Sequence, residues 1–442
     1  MKIKLNKGLD LRIAGATTDT KPVRTVTPGL AAVMPDDFTG LMPKAAVHEG
    51  DEVAVGDALL FDKAHPEIKV VSPVAGHVKA VVRGERRKIM RVIVEADGSD
   101  RAKKFDTKAP VLDLLENSGF FAMIRRRPYD TVPVPDVRPR DIFVTAFDTA
   151  PLATPLTDRL GDNATRELET AVKALATLTD GKVYISHDPT WALGDITGAV
   201  MVEVEGPHPA GNVGIQIANI APVNKGETVW TLDVVTLVKI GRLLLTGTVD
   251  PTVYVAVTGP EVSTPAVLRT VEGAPLSDLL DGMLHKTDKH LRVISGNVLT
   301  GTADDPESGF LHFPWRQITV IDEGDDVDEF MGWASVSPDK MSAHRSLPLH
   351  WLRRAFSPDA RLLGGRRAMI ISGEYDKVLP MDVMAEYLLK AINSRNIDDM
   401  EALGIYEVAP EDLALCEYVD TSKLPVQQMV RDGLDYLRKE LE

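Results

Sequence analysis

The chain has 442 residues, 44% of them hydrophobic and 26% charged, with a formal net charge of −15. That length points to about two to four domains of ordinary globular composition. The charge argues against general nucleic-acid binding and against broad adhesion to an anionic surface, and the single cysteine, Cys416, excludes an internal disulfide framework and any cysteine-ligated iron–sulfur or zinc site built by this chain alone.

The start, Met1-Lys2-Ile3-Lys4-Leu5, has no apolar stretch long enough for a signal-peptide core, and nowhere do enough apolar residues run together to span a bilayer. Low cysteine usage fits a reducing compartment. The expected place is the cytoplasm, or the cytoplasmic side of a larger body.

The first hundred residues read as short strands punctuated by Gly, Pro and Asp. Gly50-Asp51 and Gly56-Asp57 supply turns between short apolar runs, and Val70-Val71-Ser72-Pro73-Val74-Ala75-Gly76-His77-Val78 is another strand-turn-strand. This pattern resembles the barrel-sandwich of biotinyl and lipoyl carrier domains. Carriers present a modified lysine at a hairpin tip. Here the tip reads Phe61-Asp62-Lys63-Ala64-His65, without a Met-Lys pair, so both a structural barrel and a carrier modified at Lys63 stay open. A basic cluster follows: Arg83, Arg86, Arg87, Lys88 and Arg91. It reads either as a charged strand edge that blocks edge-to-edge pairing or as a docking patch for an acidic partner or lipid headgroups.

The proline- and arginine-rich stretch 125–140 reads as extended irregular chain and a domain boundary. Beyond it, apolar runs at 142–147, 183–185, 199–204 and 253–257 read as strands of a parallel sheet. A helix capped by Asp162-Asn163 presents Leu168, Val172 and Leu175 on one face, and a second helix over 228–240 presents Trp230, Val234 and Leu237. Residues 258–335 suit a β-grasp-like module with a helix over 276–284, ending in an acidic run (Asp322, Glu323, Asp325, Asp326, Asp328, Glu329) that is a solvated loop or a metal ligand pair. After an arginine-rich stretch (Arg345, Arg353, Arg354, Arg361, Arg366, Arg367), helices are expected over 381–393 and 426–441. The fold class is therefore multidomain α/β (α+β). The expected domains are a barrel-sandwich over 1–105, a Rossmann-like α/β domain over 135–257, a β-grasp-like (SLBB-type) domain over 258–335 and a helical region over 365–442.

No dinucleotide fingerprint, P-loop, zincin or nucleophile-elbow motif occurs, and the histidines show no metal-ligand spacing. The most distinctive loop is Gly206-Pro207-His208-Pro209-Ala210-Gly211-Asn212-Val213-Gly214, placed after a strand where α/β sheets bind ligands. Gly206, His208 and Gly211 are its candidate ligand or docking residues. The alternative is a tight turn with His208 as a packing residue.

Several segments together resemble one family, NqrA, the large extramembrane component of the bacterial sodium-translocating NADH:quinone oxidoreductase (Na⁺-NQR). They are Lys7-Gly8-Leu9-Asp10-Leu11-Arg12-Ile13-Ala14-Gly15, the 48–87 barrel segment, Gly206-Pro207-His208-Pro209-Ala210-Gly211, Arg292-Val293-Ile294-Ser295-Gly296-Asn297-Val298-Leu299, Gly332-Trp333, Lys340-Met341-Ser342 and Ala409-Pro410-Glu411-Asp412-Leu413-Ala414-Leu415-Cys416. They follow the family's order over nearly the whole chain.

The resemblance implies a peripheral subunit on the cytoplasmic face of the bacterial inner membrane. It implies a complex of six subunits, with the membrane-embedded NqrB the chief partner, that oxidises NADH, reduces ubiquinone or menaquinone and pumps Na⁺ outward. FMN, riboflavin, FAD and Fe–S centres are expected in partner subunits and none on this chain; quinone contact is possible under the resemblance. Two departures stand out. Gln216 and Ala218 replace two histidines usual after the loop, and Asp420 replaces a second cysteine. Two other readings differ in class: a pure assembly or docking subunit with no ligand, and a free-standing carrier-domain enzyme.

Overall fold

The computed structural model describes residues 1–19, 21–325, 341–343 and 354–442. The central layer is a six-stranded sheet in the order Lys2–Lys4, Val200–Glu205, Val183–His187, Ile142–Thr145, Val229–Asp233, Arg125–Arg127. All neighbours run parallel except the last pair. Apolar, β-branched strands buried on both faces are what a parallel sheet requires. Helices Ala164–Leu175 and Val234–Thr246 pack on each other and on one face, with Leu168, Val172, Leu237 and Ile240 fully buried. Arg242 clamps the pair by two hydrogen bonds to Glu167, of 2.9 and 3.0 Å.

Two boundaries differ from the pattern read in the sequence. Trp230 lies on the strand Val229–Asp233, and the helix begins only at Val234, because the Asp233 carboxylate caps it by accepting from Thr236 N–H at 2.8 Å. The stretch at 125–127, expected to be irregular, is the antiparallel edge strand of the sheet. At the start of helix Ala164–Leu175, Asn163 occupies the cap position but its side chain makes no capping bond.

The barrel-sandwich is present as two small sheets. One joins Leu30–Val33, Ile89–Ala96, Gly76–Arg83 and Glu52–Val53; the other joins Pro43–Ala45, Ala58–Asp62 and Lys69–Val71. The β-grasp sheet runs Thr302–Asp304, Leu291–Ser295, Gln317–Asp322, Thr252–Thr258, Ala266–Val271, Arg24–Thr25, with helix Leu276–Leu280 packed on it. The strand expected to close the parallel run, 253–257, thus belongs to this sheet instead. The N-terminal segment serves three units: residues 2–4 extend the parallel sheet, 24–25 extend the β-grasp sheet, and 30–33 enter the barrel.

The C-terminal helices Ala385–Ser394, Ala414–Val419 and Val426–Leu441 cover the other face of the parallel sheet. Leu388, Leu389, Val430 and Leu434 share a core there with Val202, Val204 and Ile215. Of the acidic run, Asp326, Asp328 and Glu329 lie outside the described residues, as do Arg345 and Arg353 of the arginine-rich stretch and the Gly332-Trp333 segment.

Candidate functional site

The 206–214 loop leaves strand Val200–Glu205 and enters helix Val213–Ile220, at the carboxyl edge of the parallel sheet. Its polar groups are taken up by neighbours. The His208 N–H donates to Asp10 Oδ1 at 2.9 Å, and the His208 carbonyl accepts from Leu9 N–H at 2.8 Å. Gly211 N–H donates to Thr149 Oγ1 at 2.9 Å, and the same hydroxyl lies 3.2 Å from His208 Nδ1. His208 is 3% exposed and burial holds its pKa down to about 4, against the opposing pull of Asp10, so its ring is neutral at neutral pH. Its Nε2 is buried without a partner among the described residues.

The loop glycines answer to close packing. A Cβ on Gly211 would stand 2.7 Å from Thr149 N, one on Gly206 2.8 Å from the Leu5 Cβ, and one on Gly214 2.2 Å from Asp412 Oδ2. Gln216, one of the departures, is buried and its amide NH₂ reaches Thr145 Oγ1, the Ala210 carbonyl and the Gly211 carbonyl at 3.0–3.2 Å. Ala218 packs half-buried against the C-terminal core. Asp420, the third departure, accepts from Leu424 N–H at 2.8 Å.

Beside the loop lies a buried ion-pair node that local sequence patterns do not reveal. Arg127, on the edge strand, is 1% exposed; its guanidinium donates to Asp412 and to Glu411, each at 2.9 Å. Asp412 also accepts from Ala409 N–H at 2.9 Å, and Asn212 reaches the Glu411 carbonyl at 3.1 Å. The Asp412 carboxylate therefore sits against the first turn of helix Val213–Ile220, where negative charge is favoured. The pair joins positions 285 apart in sequence; the Pro410-Glu411-Asp412 segment was visible only as a motif.

A second polar junction joins the barrel-sandwich to the β-grasp unit. His312 Nδ1 lies 2.6 Å from Asp37 Oδ1, its Nε2 lies 3.6 Å from Asp304 Oδ2, and Phe313 N–H donates to Asp37 Oδ2 at 2.9 Å. Burial opposes charge on His312, but the bond to Asp37 and the field of both carboxylates win and raise its pKa. Next to it is a cleft of about 40 Å³ lined by Met34, Phe38, Val71, Met123, Glu272 and Phe313, among others. Phe38 and Phe313 stack with centroids 5.3 Å apart, and Glu272 is paired with the buried Lys239 at 2.5 Å.

The basic cluster sits at the tip of the hairpin formed by Gly76–Arg83 and Ile89–Ala96. Lys88 is paired with Asp36 at 2.7 Å and Arg91 donates to the Ser308 carbonyl at 2.9 Å, while Arg83 reaches the Arg87 carbonyl at 3.1 Å. Arg86 and Arg87 stand exposed at the turn, both with left-handed backbone. Lys63 is exposed at the turn between Ala58–Asp62 and Lys69–Val71. Among the described residues no cluster of three or more His, Cys, Asp or Glu forms a metal site, and no helix is long and apolar enough to cross a membrane.

These features define a multidomain α/β protein that carries a barrel-sandwich, a parallel sheet and a β-grasp unit on one chain. Three family models match it: "NqrA N-terminal barrel-sandwich hybrid domain" over residues 3–97, "NqrA second alpha/beta domain" over 106–249 and "NQRA C-terminal domain" over 254–304. The NqrA protein of the Na(+)-translocating NADH-quinone reductase of Yersinia pestis is 37% identical, covering 99% of this chain and 100% of its own. Its counterpart from Neisseria meningitidis serogroup B is 34% identical with the same coverage. A solved NAD+-reducing NiFe hydrogenase chain in the H2-reduced state is similar at a TM-score of 0.37 and 13% identity, covering 76% of this chain and 61% of that one, a likeness too distant to carry an argument. The chain belongs to the NqrA family of Na(+)-translocating NADH-quinone reductase subunits.

Proposed function

We propose that this chain is a scaffold and docking subunit of a sodium-translocating NADH:quinone reductase. It supports the quinone-reducing step from the cytoplasmic face of the membrane and carries neither flavin nor iron–sulfur centre of its own. One observation carries this reading: the loop placed where an α/β sheet receives ligands is engaged by the chain itself, with Gly211 against Thr149, Gly214 against Asp412 and His208 held neutral between Asp10 and Thr149. Those contacts tie the N-terminal segment, the parallel sheet and the C-terminal helices into one body. Such a body suits the positioning of partner subunits. In the proposed division of labour, FMN, riboflavin, FAD and Fe–S centres sit in those partners, with the membrane-embedded NqrB the chief docking partner in a complex of six subunits.

A long-tailed quinone gains about 0.8 kcal/mol per CH₂ by staying in lipid. The cleft of about 40 Å³ beside His312 has room for a few waters and not for such a ligand. That cleft is not the place for such a ligand, and the proposed help to quinone reduction is structural. The test is the complex assembled without this chain. Loss of quinone reduction, with electron transfer from NADH to a soluble acceptor retained, is expected. Full quinone turnover in its absence would reduce the chain to a pure assembly role, and stoichiometric flavin on the purified chain would overturn the division of labour.

A further inference from the structure

Residues 360–373 read Ala-Arg-Leu-Leu-Gly-Gly-Arg-Arg-Ala-Met-Ile-Ile-Ser-Gly, with three arginines and no carboxylate in a chain of net charge −15. The segment has no regular secondary structure, yet it is pinned at both flanks. Arg367 N–H donates to the Ser422 carbonyl at 2.8 Å, and Ser422 Oγ donates to the Ala368 carbonyl at 2.9 Å. Further on, Ser372 and Gly373 donate their N–H groups to Glu386 Oε1 at 2.8 and 3.0 Å. Met369 turns inward against the C-terminal core, while Ile370 and Ile371 are 56% and 46% exposed.

Glu386 lies in helix Ala385–Ser394 and is itself buried, so its bonds to Ser372 and Gly373 set the chain just after Ile371 against the turn of that helix that carries Tyr387. Leu388, Leu389 and Ile392 bury the inner face, leaving Met384 and Tyr387 57% and 46% exposed. Five of the twelve large hydrophobic side chains exposed among the described residues fall between positions 362 and 387. Apolar side chains exposed singly are ordinary, but a cluster of them rimmed by polar groups marks an interaction surface. This one combines aliphatic side chains and a tyrosine with the exposed guanidinium groups of Arg366 and Arg367 on the 360–373 segment, and the exposed carboxylate of Asp382 near Met384 marks its other rim.

We propose that this face, formed by Ile370, Ile371, Met384 and Tyr387 with Arg366 and Arg367, rests on an anionic phospholipid bilayer. The apolar side chains enter the boundary between headgroups and acyl chains, and the two guanidinium groups meet lipid phosphates. The net charge of −15 does not prevent this, because at physiological salt charges farther than about 8 Å are screened. It does make binding one-sided: only a face with local positive charge can approach. Sodium translocation requires a membrane, so a member of this family works beside one. The inference stands on this surface and on the family, and is independent of the proposed role in quinone reduction.

The test uses the full chain with vesicles of phosphatidylglycerol and phosphatidylethanolamine, and with phosphatidylcholine vesicles as the neutral control. Co-sedimentation with the anionic vesicles is expected, falling about tenfold or more in the Arg366→Glu/Arg367→Glu variant and falling similarly for Ile370→Ser/Ile371→Ser. A Tyr387→Trp variant gives a reading that does not depend on destabilising anything. Its fluorescence shifts to the blue and is quenched by brominated acyl chains when the anionic vesicles are added. Equal sedimentation of the wild-type and variant chains, or an unquenched Tyr387→Trp signal, overturns the proposal. So does a chain that ignores all vesicles while Ile370→Ser/Ile371→Ser drops out of the assembled complex; that result assigns the face to a protein partner.

Discussion

Two of the junctions between units of this chain are built on different chemistry. The junction between the parallel sheet and the C-terminal helices centres on Arg127 and Asp412, both 1% exposed, within a core that includes Val204, Ile215, Leu388 and Leu434. The junction between the barrel-sandwich and the β-grasp unit centres on His312 between Asp37 and Asp304, beside a small cleft. A guanidinium keeps its charge across the physiological range, whereas an imidazole does not. The first junction, the weld, keeps its positive partner across that range, although burial pushes up the carboxyls it meets, Glu411 to about 8, whereas the second turns on the cation itself.

The weld breaks hardest. Arg127→Ala leaves Asp412 buried at the helix start without its counter-charge, and should cost about 3–5 kcal/mol in urea unfolding. Replacing both residues with apolar side chains of similar volume should cost far less, because no charge is then stranded. If the single and double variants lose equal stability, the pair is not the weld.

The second junction should respond to pH with a defined sign. The pKa of His312 is raised in the folded chain, so its contribution is fully present below the unfolded histidine value of about 6.5 and is lost as pH rises through the raised value. His312→Ala should therefore cost about 1.5–3 kcal/mol near pH 6, the range for a hydrogen bond to a charged group, and distinctly less near pH 9. Urea midpoints of both chains across that range check it. Parallel pH profiles for wild type and variant would remove the contrast between the junctions.

How much of this was legible in the sequence follows from how local each signal is. The barrel-sandwich turns at Gly50-Asp51 and Gly56-Asp57, the alternation of strand and helix, and the amphipathic helix Val426–Leu441 all declare themselves within a few residues. Trp230 misled because apolar residues at 230, 234 and 237 satisfy helical spacing, and the strand-to-helix switch rests on a single Asp233 cap. The 125–127 strand misled because arginine beside proline reads as exposed coil; Arg127 is buried only because its partner arrives from position 412. No window of local sequence contains that information. The Gly206, His208 and Gly211 loop was legible as unusual, but whether its glycines face a ligand or the chain's own backbone is a three-dimensional fact.

Gly214 sharpens the first junction at smaller scale. A methyl group there would meet Asp412 Oδ2 at 2.2 Å, and Asp412 cannot swing away without leaving Arg127 and the Ala409 N–H. Gly214→Ala should cost about 1–3 kcal/mol by overpacking. In an Asp412→Ala background the same substitution should cost much less, and a double-mutant cycle measures the difference. Additive costs would mean that the glycine is required by something other than the weld.

The smallest effect on folding is expected at the hairpin tip, which neither junction uses. Lys88 and Arg91 are already tied to Asp36 and Ser308, but Arg86 and Arg87 are exposed and hold left-handed backbone at φ 52° and 62°. Glycine adopts that region without the side-chain penalty, though it gives the unfolded chain more freedom, so the two effects largely cancel. Arg86→Gly/Arg87→Gly should change unfolding free energy by no more than about 0.5 kcal/mol. If the tip is a docking patch for an acidic partner, the same variant should weaken association with the remaining subunits and flatten its salt dependence, since rim charges act mainly on encounter. Unchanged assembly at low salt would leave these arginines as guards of a strand edge. Binding lost together with stability would show that the tip supports the barrel itself, and the separation between weld, pH-tied junction and free surface would then fail at its outermost point.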